Sequence, residues 1–381
     1  MQSGVAALLV TDLVNIRYLT GFTGSNAALL VVGTDGEDGQ DVAGSAGGSG
    51  SDDSSVARRR GDTAGDLDPR TRFCTDGRYT TQSAVEVPDL PRLIARPCDL
   101  ALVRLAPSGV VGFEARAVSV ADHGVLLEAA TQSRCAIDLA PTVDLVEGLR
   151  AVKDDAEIEA LRRACAVADR ALAELIAASG IRPDRTERQV GLDLDQRMRE
   201  LGASDPSFDT IVAAGANSAI PHHSPTGAVL ATGDLVKLDF GATVDGYHSD
   251  MTRTFVLGEP EGWQREIYQL VQAAQAAGRS ACRVGATGAD IDAAARDVIT
   301  DAGYGAQFSH GLGHGVGLQI HEAPSLARES ASIMVPEMCV TVEPGVYLPG
   351  RGGVRIEDSG VIRADGYDVL TQTSKEFCVL A

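Results

Sequence analysis

The chain has 381 residues, 44% of them hydrophobic, and a formal net charge of −20. That length exceeds one ordinary core and favours two domains, and the acidic balance excludes a nucleic-acid partner, whose phosphates need a basic surface. No run of about 18 apolar residues is present to span a membrane.

The start, Met1 to Leu19, lacks a basic n-region and a small-residue cleavage site, so it reads as a strand rather than a signal peptide. Cys74, Cys98, Cys135, Cys165, Cys282, Cys339 and Cys378 are odd in number, scattered and without a CxxC spacing. They read as reduced, buried thiols of a cytoplasmic protein.

In chain order, Val5 to Val10 is a short apolar strand. Ala27 to Val32 is a second, following the turn-rich TGFTGSN. From Gly33 to Pro69 the composition collapses to Gly, Asp, Ser and Ala, with Arg58 to Arg60 as the one basic run. Too few apolar side chains are present to offset the entropy of ordering, which predicts a disordered insertion in a surface loop. Strand-like sequence resumes at Phe73, with a turn at Asp76-Gly77. Strands and helices then alternate to about Leu145, which predicts an α/β amino-terminal domain over residues 1–148.

The second domain, 149–381, opens on AVKDDAEIEALRRACAVADRALAELIAA. There Ile158, Leu161, Cys165, Ala168, Leu172 and Leu175 recur at three- and four-residue steps, the pattern of a long amphipathic helix. Asp154, Asp155 and Glu157 near its start suit the helix dipole. A second helix begins at Thr186, with Gln189 completing a capping box, and two more fit Gln264 to Arg279 and Gly288 to Ala302. Strands fit Phe208 to Ala214, Leu235 to Gly241, Tyr247 to Val256, Met338 to Glu343 and Val354 to Glu357. The domain is therefore α+β, with an antiparallel sheet and helices on its outer face.

Six of the seven histidines lie between His222 and His321. The same half holds Asp239 and Asp250 in strand context, Glu343 before a Pro-Gly turn and Glu357 at the end of VRIE. Imidazoles and carboxylates together are the ligand set of hard or borderline divalent metals, so this half reads as a binuclear, hydrolytic metal site. In LVKLDFG, strand alternation sends Val236, Leu238 and Phe240 to one face and Lys237 and Asp239 to the other. Asp245-Gly246 is a two-residue hairpin signal. A turn there pairs Asp239 with Thr252 and Gly241 with Asp250, which makes the two aspartates diagonal neighbours about 7–8 Å apart. Two such carboxylates repel unless a cation lies between them; the alternative is a pair of solvated sheet aspartates.

In SHGLGHGVGLQIHE, His310, His314 and His321 are separated by glycines that allow close backbone approach. Glu343 and Glu357 end buried strands and need a partner for their charge; a metal is one and Arg355 another. Of His222 and His223, one lines the cleft and the other is solvated. His248 alternates away from Asp250 and reads as structural, and His123 has no assigned role.

Taken in order, LDFGATVDGYHSDMTRTF, HGLGHGVGLQIHE, VTVEPGVY and GGVRIED resemble the pita-bread metallopeptidases, within them the Xaa-Pro aminopeptidase and prolidase group. NIRYLTGFTGS and FCTDGRYTTQS are similar to the creatinase-type amino-terminal domain, which methionine aminopeptidases lack. The resemblance implies metal ligands at Asp239, Asp250, His314, Glu343 and Glu357, with Asp250 and Glu357 bridging two divalent ions. Mn²⁺ is favoured by a carboxylate-rich shell, with Co²⁺ or Zn²⁺ as alternatives. It implies catalytic roles for Glu343, His310, His321 and His222, with the three histidines and Arg355 contacting substrate. The implied activity is a metal-dependent Xaa-Pro aminopeptidase acting on peptides with proline at the second position, with an Xaa-Pro dipeptidase as the alternative. A homodimer is implied as the assembly. A non-catalytic peptide-binding module, or a creatinase-like hydrolase that dispenses with metals, is disfavoured by the intact ligands. Two departures, a short leading segment and the 33–69 insertion, fall in the amino-terminal domain and leave the chemistry intact.

Overall fold

A computed structural model describes residues 4–33 and 67–381. Most of the expected insertion, residues 34–66, lies outside the described residues. The chain divides into two compact units between Val146 and Glu147. The boundary expected after Gly148 lies two residues further along the same helix (Leu145–Ala151).

The first unit is a six-stranded mixed sheet. Its strands are β1 (Ala7–Val10), β2 (Ala27–Val32), β3 (Arg72–Thr75), β4 (Arg92–Ile94), β5 (Gly109–Glu114) and β6 (Ile137–Thr142), in the order β4-β3-β2-β1-β5-β6. Alternation along β1 and β2 explains its two covered faces. Ala7, Leu9, Ala28 and Leu30 pack with Leu102, Val103 and Leu126 on one side. Leu8, Val10, Ala27 and Leu29 pack with Ile16, Phe22 and Phe73 on the other. His123 stacks on Phe113 within this unit, ring centroids 4.8 Å apart.

The second unit begins with helices α1 (Asp155–Ala177) and α2 (Glu187–Glu200). The helix α1 draws its stability chiefly from packing its apolar stripe rather than from propensity. Asp154 caps it through a reciprocal capping box with Glu157, and Thr186 and Gln189 form the expected box on α2. Strands β7 (Asp205–Pro206), β8 (Ile211–Ala214), β9 (Leu235–Phe240), β10 (Ala242–Val244), β11 (Tyr247–His248) and β12 (Met251–Leu257) follow, then α3 (Gly262–Ala281) and α4 (Gly288–Asp301). The chain closes with β13 (Gly313–Gly315), β14 (Glu322–Leu326), β15 (Cys339–Val342), β16 (Gly345–Leu348), β17 (Gly352–Arg355), β18 (Asp358–Arg363), β19 (Gly366–Val369) and β20 (Val379–Leu380).

Two sheets dominate, β20-β12-β9-β8 and β14-β13-β15-β18-β19. Both are antiparallel apart from the parallel β12–β20 edge. Val236, Leu238 and Phe240 of β9 pack on Leu172 and Leu175 of α1 and Val190, Leu194 and Met198 of α2. A second core joins Ile267, Tyr268 and Val271 of α3 and Ile291, Ala295 and Ile299 of α4 to Val340, Val342, Val354 and Ile356. The helices thus clothe the outer faces and leave the inner sheet faces to the polar residues. The strand expected from Tyr247 to Val256 is broken, because Ser249 and Asp250 lie between β11 and β12. Among the described residues all seven cysteines are free, and no helix is long and apolar enough to cross a membrane.

Candidate active site

The hairpin between β9 and β12 sets the site's register. Asp239 pairs with Thr252 and Phe240 with Met251, and further on Thr243 pairs with His248. Asp245 and Gly246 both take positive φ, 53° and 84°, as a type I′ turn requires. Gly241 has no room for a side chain: a Cβ there would lie 1.8 Å from the Ser249 carbonyl oxygen. Asp239 and Asp250 both face a cavity of about 470 Å³ as a result.

The second sheet supplies the rest. Gly313 lets β13 approach β15, where a Cβ would meet the Thr341 carbonyl oxygen at 2.0 Å. The His314 backbone N–H then donates to Thr341 Oγ1 at 3.1 Å. Glu343 follows β15 directly, and its N–H donates to the Leu312 carbonyl. Glu357 lies between β17 and β18, with its N–H on the Thr252 carbonyl. Asp239, Asp250, His314, Glu343 and Glu357 all line the one cavity. Ligand atoms of Asp250, His314 and Glu357 lie within 4.8 Å of one another.

The fit of this set to cations is tested by what its atoms lack. Asp239 Oδ1 and Glu357 Oε1 are buried without a hydrogen-bond partner. The Nδ1 of His314 is 3.0 Å from the Gly315 carbonyl, which assigns its proton there. Its Nε2 lone pair then faces Asp250 Oδ2 at 3.5 Å and Glu343 Oε1 at 3.4 Å. Lone pair against carboxylate oxygen is repulsive unless a proton or a metal cation lies between them. Burial, and then the neighbouring carboxylates, push Asp250 and Glu357 well above the ordinary range. Burial lifts Glu343 to about 8 against the opposing pull of Arg355. Burial also lowers His314 to about 4, keeping its imidazole neutral. Oxygen-rich ligation with one neutral imidazole suits divalent cations.

Arg355 was expected at the substrate, and the structure corrects this. It is 1% exposed and does not line the cavity. Its guanidinium forms an ion pair with Asp239 and donates to Thr252 Oγ1 at 2.9 Å, Tyr347 Oη at 2.9 Å and the Pro221 carbonyl at 3.1 Å. Four acidic neighbours need a fixed counter-charge, and burial beneath them makes Arg355 that charge. His310 also stands behind the wall rather than in it. Its Nδ1 faces the Gly311 carbonyl and its Nε2 the Tyr347 hydroxyl, each at 2.8 Å. Burial, then Arg355, holds it at about 3.

His222 is exposed and lines the cavity, with burial and Arg355 lowering its pKa. His321 lines it too, edge-on to His314 with centroids 4.4 Å apart. Its neighbour Glu322 is held by Arg150 at 2.6 Å and Lys153 at 2.5 Å. His223, expected to be solvated if His222 lines the cleft, is instead buried: Nε2 is 2.8 Å from Glu187 Oε2, and the ring also lines the cavity. His248 lies outside the cavity, its ring 3.3 Å from Thr243 Oγ1. Sequence reading missed Glu187, Tyr347, Thr252 and Lys237. Lys237 is fully buried, donates to the Ile220 and Pro221 carbonyls, and is lowered to about 6 by burial and Arg355.

Fold and site together define a pita-bread protein with a carboxylate–histidine cluster of the metal-ligating type. Residues 159–364 match metallopeptidase family M24, and residues 1–39 match the creatinase/prolidase N-terminal domain. The chain belongs to metallopeptidase family M24. It is 42% identical over 233 residues to the Xaa-Pro dipeptidase of Pyrococcus furiosus, a match spanning 61% of this chain and 66% of that protein. The solved Xaa-Pro dipeptidase from Bacillus anthracis superposes with a TM-score of 0.83 at 36% identity, covering 99% of this chain and 95% of the other. The X-Pro aminopeptidase from Thermotoga maritima gives 0.81 at 30% identity, covering 99% and 98%.

Proposed function

We propose that this chain is an Xaa-Pro dipeptidase. One observation carries the chemistry: three buried carboxylates, the partly buried Glu343 and a neutral imidazole converge on a single cavity, two of their oxygens without partners. Asp239, Asp250, His314, Glu343 and Glu357 would hold two divalent ions, with Mn²⁺ the first choice for so oxygen-rich a set. When bound, the ions supply positive charge that acidifies water and polarises the scissile carbonyl.

The chain's own groups do the rest. Glu343 takes the proton of the attacking water and passes it to the leaving proline nitrogen. His222 and His321, open to the cavity, donate to the carbonyl oxygen as it gains charge. Phe208, Ile211, Pro225 and Ile320 supply the apolar wall that packs a proline ring and excludes water. His310 acts through Tyr347 and Arg355, so it is a positioning residue.

The dipeptidase reading replaces the aminopeptidase expectation as first choice, because over nearly the whole chain the Xaa-Pro dipeptidase from Bacillus anthracis is 36% identical and the X-Pro aminopeptidase from Thermotoga maritima 30%. A substrate-length series tests it. With Mn²⁺ supplied, Ala-Pro should give a higher kcat/KM than Ala-Pro-Ala and longer peptides. The reverse order would restore the aminopeptidase, and absence of any turnover would leave a peptide-binding module.

A further inference from the structure

Glu187 and His223 form a buried pair that the chemistry above does not use. Glu187 lies in the first turn of α2 and is completely buried. It accepts hydrogen bonds from the Ala214 N–H at 2.9 Å, Asn217 Nδ2 at 2.9 Å, the Thr226 N–H at 3.0 Å and the Thr226 hydroxyl at 2.7 Å. Burial alone would raise its pKa, but these bonds and the one from His223 hold it at about 2. An ionised carboxylate surrounded by donors can only accept, so the proton it shares with His223 sits on Nε2. The other ring nitrogen, Nδ1, has no hydrogen bond and is not sealed from solvent, and His223 lines the active cavity. The pair therefore leaves one nitrogen of a cavity-lining imidazole uncommitted while a buried, negatively charged support holds the other.

The cavity has a matching need. A dipeptide brings a free carboxylate one residue beyond the scissile bond. Among the described cavity-lining residues there is no lysine or arginine. Arg355 is buried beneath the floor, committed to Asp239, Thr252 and Tyr347. That leaves imidazoles and the Ser224 hydroxyl. His314 is turned to Asp250 and Glu343, and His321 packs edge-on against His314. His223 is the cavity histidine with a buried carboxylate behind it.

We propose that the Glu187–His223 pair is the carboxylate-reading element of the site: His223 Nδ1, protonated, bonds the C-terminal carboxylate of the dipeptide while Nε2 remains on Glu187. The imidazolium then stands between two carboxylates, and neither charge is left unpaired in the cavity. The inference rests on the dipeptidase reading and deepens it.

The test compares Ala-Pro with Ala-Pro amide, which lacks only the carboxylate charge, using the full Mn²⁺-supplied chain. Wild type should favour the acid. In His223→Gln, the acid-to-amide ratio of kcat/KM should fall about 10- to 100-fold, mainly through KM for the acid, the usual scale for a hydrogen bond to a charged group. Glu187→Gln keeps a side chain of the same shape and should move the ratio the same way. Because the ratio is internal to each protein, loss of fold cannot imitate it. A ratio unchanged in both variants, or acid and amide lost in equal proportion, would overturn the assignment. Wild type that cleaves only longer Xaa-Pro peptides would instead remove the dipeptidase reading itself.

Discussion

Arg355 Nε donates to the Thr252 hydroxyl at 2.9 Å, and that hydroxyl donates onward to Glu357 Oε2 at 2.7 Å. One small side chain thus aligns a proposed bridging carboxylate with the buried cation that balances it. Thr252→Val keeps the volume and removes the link. Loss of a group that orients a ligand weakens metal affinity by about 10- to 100-fold, so Mn²⁺ titration of the variant should show that shift. Wild-type affinity would dissociate Thr252 from the metal site.

Metal uptake should release protons. Glu343 lies at about 8, with Asp250 and Glu357 also raised, so near neutral pH the metal-free site holds protons that cations must displace. Calorimetry in two buffers of different ionisation enthalpy reads the number released, which should fall as pH rises through about 8. The sign for stability follows. A raised carboxyl pKa means the folded chain binds more protons than the unfolded chain between about pH 4.3 and 8. Metal-free protein should therefore lose stability as pH rises across that window, and Mn²⁺ should restore it. Stability that rises there would contradict the buried, unpaired carboxylates.

The partition of roles among these residues is directly testable. Glu343→Gln removes a ligand charge and the proton carrier together, and should abolish nearly all turnover. His123→Ala, which trims a ring stacked on Phe113 in the other unit, should leave kcat near wild type. Equal damage from His123→Ala and His314→Ala would refute the partition.

Proline preference should be large. Proline at the second position has no N–H and a fixed φ. Alanine there brings an N–H into an apolar-walled cavity, at a cost of about 1–3 kcal/mol if unpaired. That corresponds to roughly 10- to 100-fold, with lost ring packing added. Similar kcat/KM values for Ala-Pro and Ala-Ala would reject the proline assignment and leave the metal centre standing.

Much of this site is legible in the sequence because it is built from local patterns. Asp245-Gly246 dictates a tight hairpin, and strand alternation then carries Asp239 opposite Thr252. The capping box at Thr186 and the apolar steps from Ile158 to Leu175 mark α2 and α1 for the same reason. What stays hidden depends on distant partners. Nothing near Arg355 in the chain indicates that it turns away from substrate toward Asp239, 116 residues earlier. Nothing near His223 announces Glu187, whose position beside Thr186 reads as helix-start chemistry alone. The break at Ser249 and Asp250 is invisible to periodicity, since their side chains continue the alternation while the ladder pauses.

The hairpin also determines which changes in length this protein can survive. Between Asp239 and Asp250 the side-chain period is two, so one inserted residue would rotate Asp250 to the opposite sheet face, and two would return it to the correct face but farther along. The turn has no slack of its own, being closed by two residues at positive φ. Insertions or deletions of any size from 239 to 252 should therefore abolish metal binding while leaving the helical cores able to form. In a library of single-codon insertions, this largely buried stretch should stand out as intolerant, a mechanical gauge in which spacing matters more than side-chain identity.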